Sequence, residues 1–194
     1  MNTRLDGRNA RSERTRRAIV DSLLEYVRAD GELPTTEAIA ARAGVTQRTL
    51  FNNFDDIRSL FAAAIDKQVA RVIDSLPPAP AEGSLENRVR SYVADLCASM
   101  DEVSAVRWVV LTYETDDLRA GLERVRSATR ARLSELLATE MTGLDASARD
   151  EALDAAELVT DPISWRLLRR QRGLGRAAAT RVMTRALLAI ARSA

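Results

Sequence analysis

The sequence contains no histidine, and this absence removes several classes of protein from consideration. Hydrolases that use histidine as their base, and the usual zinc sites, need a side chain that is missing here. The 28 acidic residues mostly lie among arginines at helical spacing, which favours a solvated helix face over a catalytic carboxylate pair. There is also no glycine-rich phosphate loop and no Cys/His cluster. The sequence therefore predicts a protein that is not an enzyme and that uses no metal or cofactor.

Cysteine is almost as scarce, since Cys97 is the only one. A single cysteine cannot form an internal disulfide, which fits a reducing compartment. No apolar run approaches the length that spans a bilayer, and the basic N-terminal segment is not followed by an apolar stretch. We therefore expect a cytoplasmic protein with no membrane partner.

The chain has little net charge, only +1, so it has no strong overall field that would attract a polyanion. The basic residues are instead concentrated at one end. Residues 1–17 hold six arginines and two acidic residues, a local charge of +4 that leaves −3 on the remainder. We interpret residues 1–13 as a basic N-terminal arm. Such an arm suits local contact with phosphates, and it equally suits a disordered solubilising tail.

Apolar residues recur with helical periodicity along almost the whole chain, and no segment alternates as a strand does, so the predicted fold class is all-α. A long helix is expected to start near Asp55 or Asp56 and to end at the prolines of residues 76–84. A break is expected at Pro162, which suits the first position of a helix. The other helices are expected at about 14–29, 36–42, 47–53, 84–100, 102–115, 117–141, 147–160, 162–172 and 176–193.

The segment 35–54, TTEAIAARAGVTQRTLFNNF, has the pattern of a helix-turn-helix. Gly44 suits the left-handed conformation that closes the first short helix, and Thr46 suits the cap of the second. With Leu50 and Phe54 facing the core, the remaining side chains match base edges and thymine methyl groups. A polar surface loop explains neither the turn nor the clustered phenylalanines. The residues expected to contact DNA are Thr35, Thr36, Thr46, Gln47, Arg48, Thr49, Phe51, Asn52, Asn53 and Arg58.

These residues, followed by IRSLF, resemble the TetR family of transcriptional regulators, and the strong resemblance covers roughly residues 12–72. The family pairs an isoleucine-alanine helix and an alanine-glycine-valine turn with a recognition helix that ends in aromatic-x-x-phenylalanine. The resemblance implies a DNA-binding domain at 14–75, joined by the long helix to a ligand-binding and dimerisation domain at 84–194.

Three positions depart from the family pattern. Phe51 stands where the family often has tyrosine, and Asn53 where it has histidine or tyrosine. Ile57 stands where a lysine commonly grips a phosphate. We expect Arg58 or the N-terminal arm to supply the charge of that lysine.

The resemblance also implies a homodimer that binds a double-stranded DNA operator and responds to a small-molecule effector. Residues 177–191 are small or apolar on more than one face, which suits a dimer interface, although burial within one subunit also explains the pattern. Trp and Tyr combine apolar area with one polar group, which suits a ligand pocket, but such residues at helical spacing also fit a core. The predicted ligand-binding residues are Tyr92, Leu96, Met100, Trp108, Thr112, Tyr113 and Trp165.

Two functions follow from these patterns. The first is a TetR-type repressor that binds a palindromic operator as a dimer and is released by an apolar or aromatic effector. The alternative is an all-α ligand-binding or protein-interaction module whose helix-turn-helix no longer binds DNA. The isoleucine at position 57 keeps this alternative open.

Overall fold

The computed structural model describes residues 3–110 and 115–193, with side chains placed for residues 9–109 and 115–193. Every regular element within these ranges is helical, so the all-α prediction is confirmed. A π-helical turn, Leu167–Gln171, follows α8 directly. The helices are α1 (Thr3–Asp30), α2 (Thr36–Arg42), α3 (Gln47–Asn53), α4 (Ile57–Asp74), α5 (Leu85–Val110), α6 (Asp116–Leu136), α7 (Ala146–Thr160), α8 (Pro162–Arg166) and α9 (Arg176–Ser193).

Two helices are longer than the sequence predicted. Helix α1 begins at Thr3 rather than near Arg14. Its first turns lack the apolar stripe of the rest of the helix, so apolar periodicity did not reveal them. Helix α5 runs unbroken through Asp101, where a break between two helices was expected. The Asp101 carboxylate accepts hydrogen bonds from other segments rather than capping a new helix. Helix α6 in turn ends at Leu136, five residues before its predicted end at 141.

The chain divides into two compact units. The first unit comprises Met1–Gln68 and Trp108–Gly121. Its core forms where the apolar stripe of α1 packs against α2 and α3. The fully buried side chains there include Ile19, Leu23, Ile39, Leu50 and Leu60.

The second unit comprises Val69–Arg107 and Leu122–Ala194. Its core is built from α5, α6, α7 and α9, together with the buried Trp165 of α8. Leu187 of α9 has no exposed surface and belongs to this core, whereas Val182 of the same helix is 44 % exposed. Five of the eleven apolar residues in 177–191, namely Ala179, Met183, Leu187, Leu188 and Ala191, are buried within the subunit, and the other six keep part of their surface open.

The break at Pro162 is confirmed. Asp161 is extended, with a ψ of 140°, and its carboxylate accepts a hydrogen bond from the Ile163 N–H at 2.7 Å. Pro162 then begins α8, where its missing N–H leaves no helical bond unmade. None of the helices in the described part of the chain is both long and apolar enough to cross a membrane.

Candidate nucleic-acid interface

Local hydrogen bonds cap the starts of both short helices, and the cap at Thr46 is one that the sequence predicted. Thr35 caps α2 by accepting from the Ala38 N–H at 3.3 Å, and Thr46 caps α3 by accepting from the Thr49 N–H at 3.1 Å. Gly44 between them has a φ of +66°, a conformation that residues with a Cβ rarely adopt. The two short helices are thus joined as a helix-turn-helix.

One side of α3 is open to solvent. Arg48, Phe51 and Asn52 are exposed, and their spacing of three and four residues places them on the same side of the helix. Phe51 is 46 % exposed although it is a large apolar residue. This side of α3 therefore offers a guanidinium, an aromatic ring and an amide, groups of the kinds that can contact base edges and thymine methyl groups.

The other three polar residues of α3 are half-buried and bonded within the unit. Gln47 Nε2 donates to Thr36 Oγ1 of α2 at 3.2 Å, and Asn53 Nδ2 donates to the Thr49 carbonyl at 2.8 Å. The Thr49 hydroxyl lies 2.9 Å from that of Thr46. The structure thus divides α3 into an open side and a side that holds the motif together. Contact of Gln47, Thr49 and Asn53 with DNA stays a prediction.

Helix α1 also holds α3, through residues that sequence reasoning assigned elsewhere. Ser12 Oγ donates to Asn53 Oδ1 at 3.2 Å, and the Arg16 guanidinium donates to the Asn53 carbonyl. The Arg16 guanidinium carbon also lies 4.0 Å from the ring centroid of the buried Phe54. The sequence gives no local signal for these contacts, because the partners lie about 40 positions apart.

The remaining predicted contacts lie around the ends of the short helices. Thr35 and Thr46 are exposed at their caps, and Thr36 is half-buried. Arg58 is exposed in the first turn of α4, whereas Ile57 beside it is half-buried. Arg58 is therefore the residue at this end of α4 that can replace the charge of the family's lysine.

One carboxylate, that of Glu37, lies close to Gln47 and Thr35. Hydrogen bonds from its own backbone N–H and from Gln47 and Thr35 hold the pKa of Glu37 below its ordinary value. Glu37 therefore stays ionised at neutral pH, in the first turn of α2. A carboxylate at this position would repel a phosphate brought close to it.

The helix-turn-helix and the start of α4 match a known family. Residues 34–64 match the family model described as bacterial regulatory proteins of the tetR family. This segment is a TetR-family DNA-binding domain. The resemblance to TetR-family regulators seen in the sequence is thus confirmed for these residues.

Solved structures share the fold of nearly the whole chain. A tetR-family transcriptional regulator from Streptomyces coelicolor is 20 % identical, with a TM-score of 0.73, and the match covers 93 % of this chain and 83 % of that one. A transcriptional regulator from Rhodococcus sp. Rha1 is 13 % identical, with a TM-score of 0.72, and the match covers 92 % and 96 % of the two chains. At these identities the likeness shows the fold. No curated protein matches the sequence.

The predicted ligand-binding residues fall into three groups. Tyr92, Leu96, Met100 and Trp165 lie in the core cluster of the second unit. Trp108 belongs to the first unit and is 41 % exposed. Thr112 and Tyr113 lie outside the described residues. Ligand binding by Trp108 and by the residues around Tyr92 stays a prediction.

The two polar groups within this cluster differ in their hydrogen bonding. Trp165 Nε1 donates to Asp101 Oδ1 at 2.8 Å. The Tyr92 hydroxyl is fully buried, and no hydrogen-bond partner for it occurs among the described atoms. Burial is the main cause that raises the pKa of Tyr92 to about 12, so the phenol keeps its proton at neutral pH. Tyr92 therefore has a hydrogen bond to give, and Trp165 does not.

Asp101 links Trp165 to the π-helical turn and to the start of α9. It also accepts hydrogen bonds from Arg169 Nε at 3.2 Å and from Arg176 at 2.8 Å. Burial alone raises the pKa of Asp101, but the hydrogen bonds from Arg169 and Trp165 outweigh it and hold the pKa below its ordinary value. These bonds fix α8 and the start of α9 on α5.

Within the described residues no group of three or more acidic or cysteine side chains is placed to hold a metal ion.

Proposed function

We propose that this TetR-type regulator is a cytoplasmic repressor that binds a two-fold symmetric operator as a homodimer and is released by a small apolar or aromatic effector. The observation that carries the proposal is the division of α3 into an open and a bonded side. Arg48, Phe51 and Asn52 are left open, and they are suited to guanine, a thymine methyl group and adenine respectively. Contact with a thymine methyl group would cover the exposed ring of Phe51 when DNA is bound.

Phosphate contacts are proposed for arginines on two helices. Arg11, Arg14 and Arg17 of α1 are exposed, as is Arg58 of α4. Phosphate contacts fix the position of a protein on DNA without reading sequence. Since the chain as a whole carries only +1, these local arginines are the proposed source of the salt-dependent part of the affinity.

For the dimer, we propose that the outward sides of α7 and α9 form the interface, as the family resemblance implies for the C-terminal helices. Leu158 of α7 is 70 % exposed and Val182 of α9 is 44 % exposed, and covering these apolar side chains with a partner subunit would be favourable. Glu151, two turns before Leu158, and Arg185, one turn after Val182, are exposed with opposite charges. In a two-fold interface each of these residues recurs on the partner, so the charges can pair across it.

For the effector, we propose binding within the second unit beside Tyr92, whose phenol would donate to an acceptor atom of the ligand. The effector can release DNA only if it binds one dimer geometry better than the other, because equal affinity shifts no equilibrium. We propose that α4 transmits the change, since its residues Ile57–Asp74 contribute to both units.

A selection experiment tests the DNA-binding part directly. The purified protein is used to enrich duplexes from a random-sequence pool, and the enriched sequence is read. We expect a two-fold symmetric sequence with half-site centres about one helical turn apart, near 34–36 Å. Recovery of unenriched random sequence would instead favour the alternative, a module whose helix-turn-helix no longer binds DNA.

A further inference from the structure

Arg16 belongs to the basic N-terminal cluster by sequence but is used inside the first unit. It is half-buried, whereas Arg11, Arg14 and Arg17 of the same helix are exposed. Its guanidinium stacks on the ring of Phe54 and donates to the backbone carbonyl of the residue before it. Of these arginines, Arg16 is thus the one whose charge is directed at protein rather than at solvent.

The group that Arg16 contacts is the end of the recognition helix α3. Asn53 is the last residue of α3, and the carbonyls of a last helical turn have no partner within the helix and carry partial negative charge. A cation at this end therefore stabilises the turn. Ser12, one turn before Arg16 on α1, bonds the Asn53 side chain, whose amide in turn bonds the Thr49 carbonyl. Two residues of α1 thus hold the final turn of α3 from one side.

Such an external hold matters because α3 has only seven residues. An isolated helix of this length is unstable, so its conformation and direction come from its packing. At its first turn, Gln47 is bonded to Thr36 of α2. At its last turn, the described side-chain bonds that connect it to another helix come from Ser12 and Arg16.

We propose that Ser12 and Arg16 form a clamp that sets the orientation of α3, so that Arg16 determines sequence specificity rather than phosphate affinity. The inference rests on the proposed DNA binding. Base-edge contacts by Arg48 and Asn52 depend on exact placement of α3, because hydrogen bonds weaken steeply with distance and angle. Phosphate contacts by flexible arginines tolerate small shifts. Loss of the clamp should therefore lower specific binding and leave non-specific binding largely intact.

The test compares three variants on two duplexes, one selected by the wild-type protein and one scrambled from it. Arg16→Gln should weaken binding to the selected duplex roughly tenfold, about the loss of one base contact, with little change on the scrambled duplex or in the salt dependence. Arg17→Gln, the matched control, removes the same charge from an exposed neighbour and should affect both duplexes by a similar factor. Arg16→Lys keeps the charge but lacks the planar group that stacks and donates together, so it should behave as Arg16→Gln.

Two results of the binding experiment would overturn the clamp. The first is an equal loss on both duplexes with a weaker salt dependence, which would make Arg16 a phosphate contact. The second is full recovery by Arg16→Lys, which would show that charge alone matters.

Amide hydrogen exchange of the free protein gives a second readout that needs no DNA. Arg16→Gln should speed exchange in α3 relative to the second unit. If this variant does not fold, Ser12→Ala removes only one bond of the clamp and should show the same local effect more weakly. Unchanged exchange in α3 would refute the clamp. If the wild-type protein selects no DNA sequence, the proposed function fails, and hydrogen exchange still decides the clamp.

Discussion

Val182→Glu is the variant that tests the proposed dimer most sharply. Val182 is 44 % exposed in the single chain, so the substitution should leave the subunit's own free energy of unfolding within about 0.5 kcal/mol. In a two-fold interface the glutamate occurs twice. If each desolvated carboxylate costs about 1–3 kcal/mol, dimerisation weakens by about 2–6 kcal/mol, which is roughly 30-fold to more than 10⁴-fold.

Sedimentation over a range of protein concentrations measures the effect on dimerisation, and operator binding measures its consequence. Leu158→Glu should act in the same direction, whereas Ala94→Glu adds the same charge at an exposed position of α5 and should leave the dimer intact. A Val182→Glu protein that remains dimeric at the wild-type concentration would place the interface elsewhere. Leu187 is unsuitable for this test, since it is fully buried in the subunit and its substitution would unfold the chain.

Four further outcomes are expected. Arg48→Ala should cost about 1–3 kcal/mol on the selected duplex and relax preference at one base position, whereas an equal loss on scrambled DNA would make it a phosphate contact. Deleting residues 1–11, which keeps Ser12, should weaken binding to all duplexes alike and reduce its salt dependence; unchanged binding would make the segment a tail. Asp101→Ala should destabilise by about 1–3 kcal/mol because it leaves the buried Trp165 N–H unpaired, and Asp101→Asn should cost less in urea unfolding. Since the folded-state pKa of Asp101 is lowered, its contribution is fully present above the ordinary value of 3.8 and should fade as pH falls further. Tyr92→Phe should keep stability, because the hydroxyl has no partner among the described atoms, and should weaken release of DNA by any effector found in a ligand panel; an unchanged response would place the effector elsewhere.

Local signals made the helix-turn-helix predictable from sequence. Caps and turns depend on residues a few positions apart, so Gly44 and Thr46 correctly predicted where α2 ends and α3 begins. The early start of α1 was missed because Leu5 and Ala10 are the only apolar residues among 3–13, which is too few to show a hydrophobic periodicity.

Sequence could not sort polar residues whose partners are distant in the chain. From the sequence, Gln47 looked as available for DNA contact as Arg48, because its hydrogen-bond partner Thr36 lies on another helix. Arg16 looked like the arginines around it, although it bonds a residue 37 positions away. The same reason applies to Trp165, whose bond to Asp101 spans 64 positions. Amphipathic spacing also could not separate Leu187 from Val182, since both interpretations of α9 fitted its apolar residues.

We infer that α3 reads base sequence, and the ratio of two affinities tests this claim. The dissociation constants of the wild-type protein for the selected duplex and for its scrambled counterpart are measured at physiological salt. A sequence-reading regulator should prefer the selected duplex by at least about 10³-fold. Preference below about tenfold, with both affinities falling equally as salt rises, would contradict the claim and leave only electrostatic attraction to phosphates.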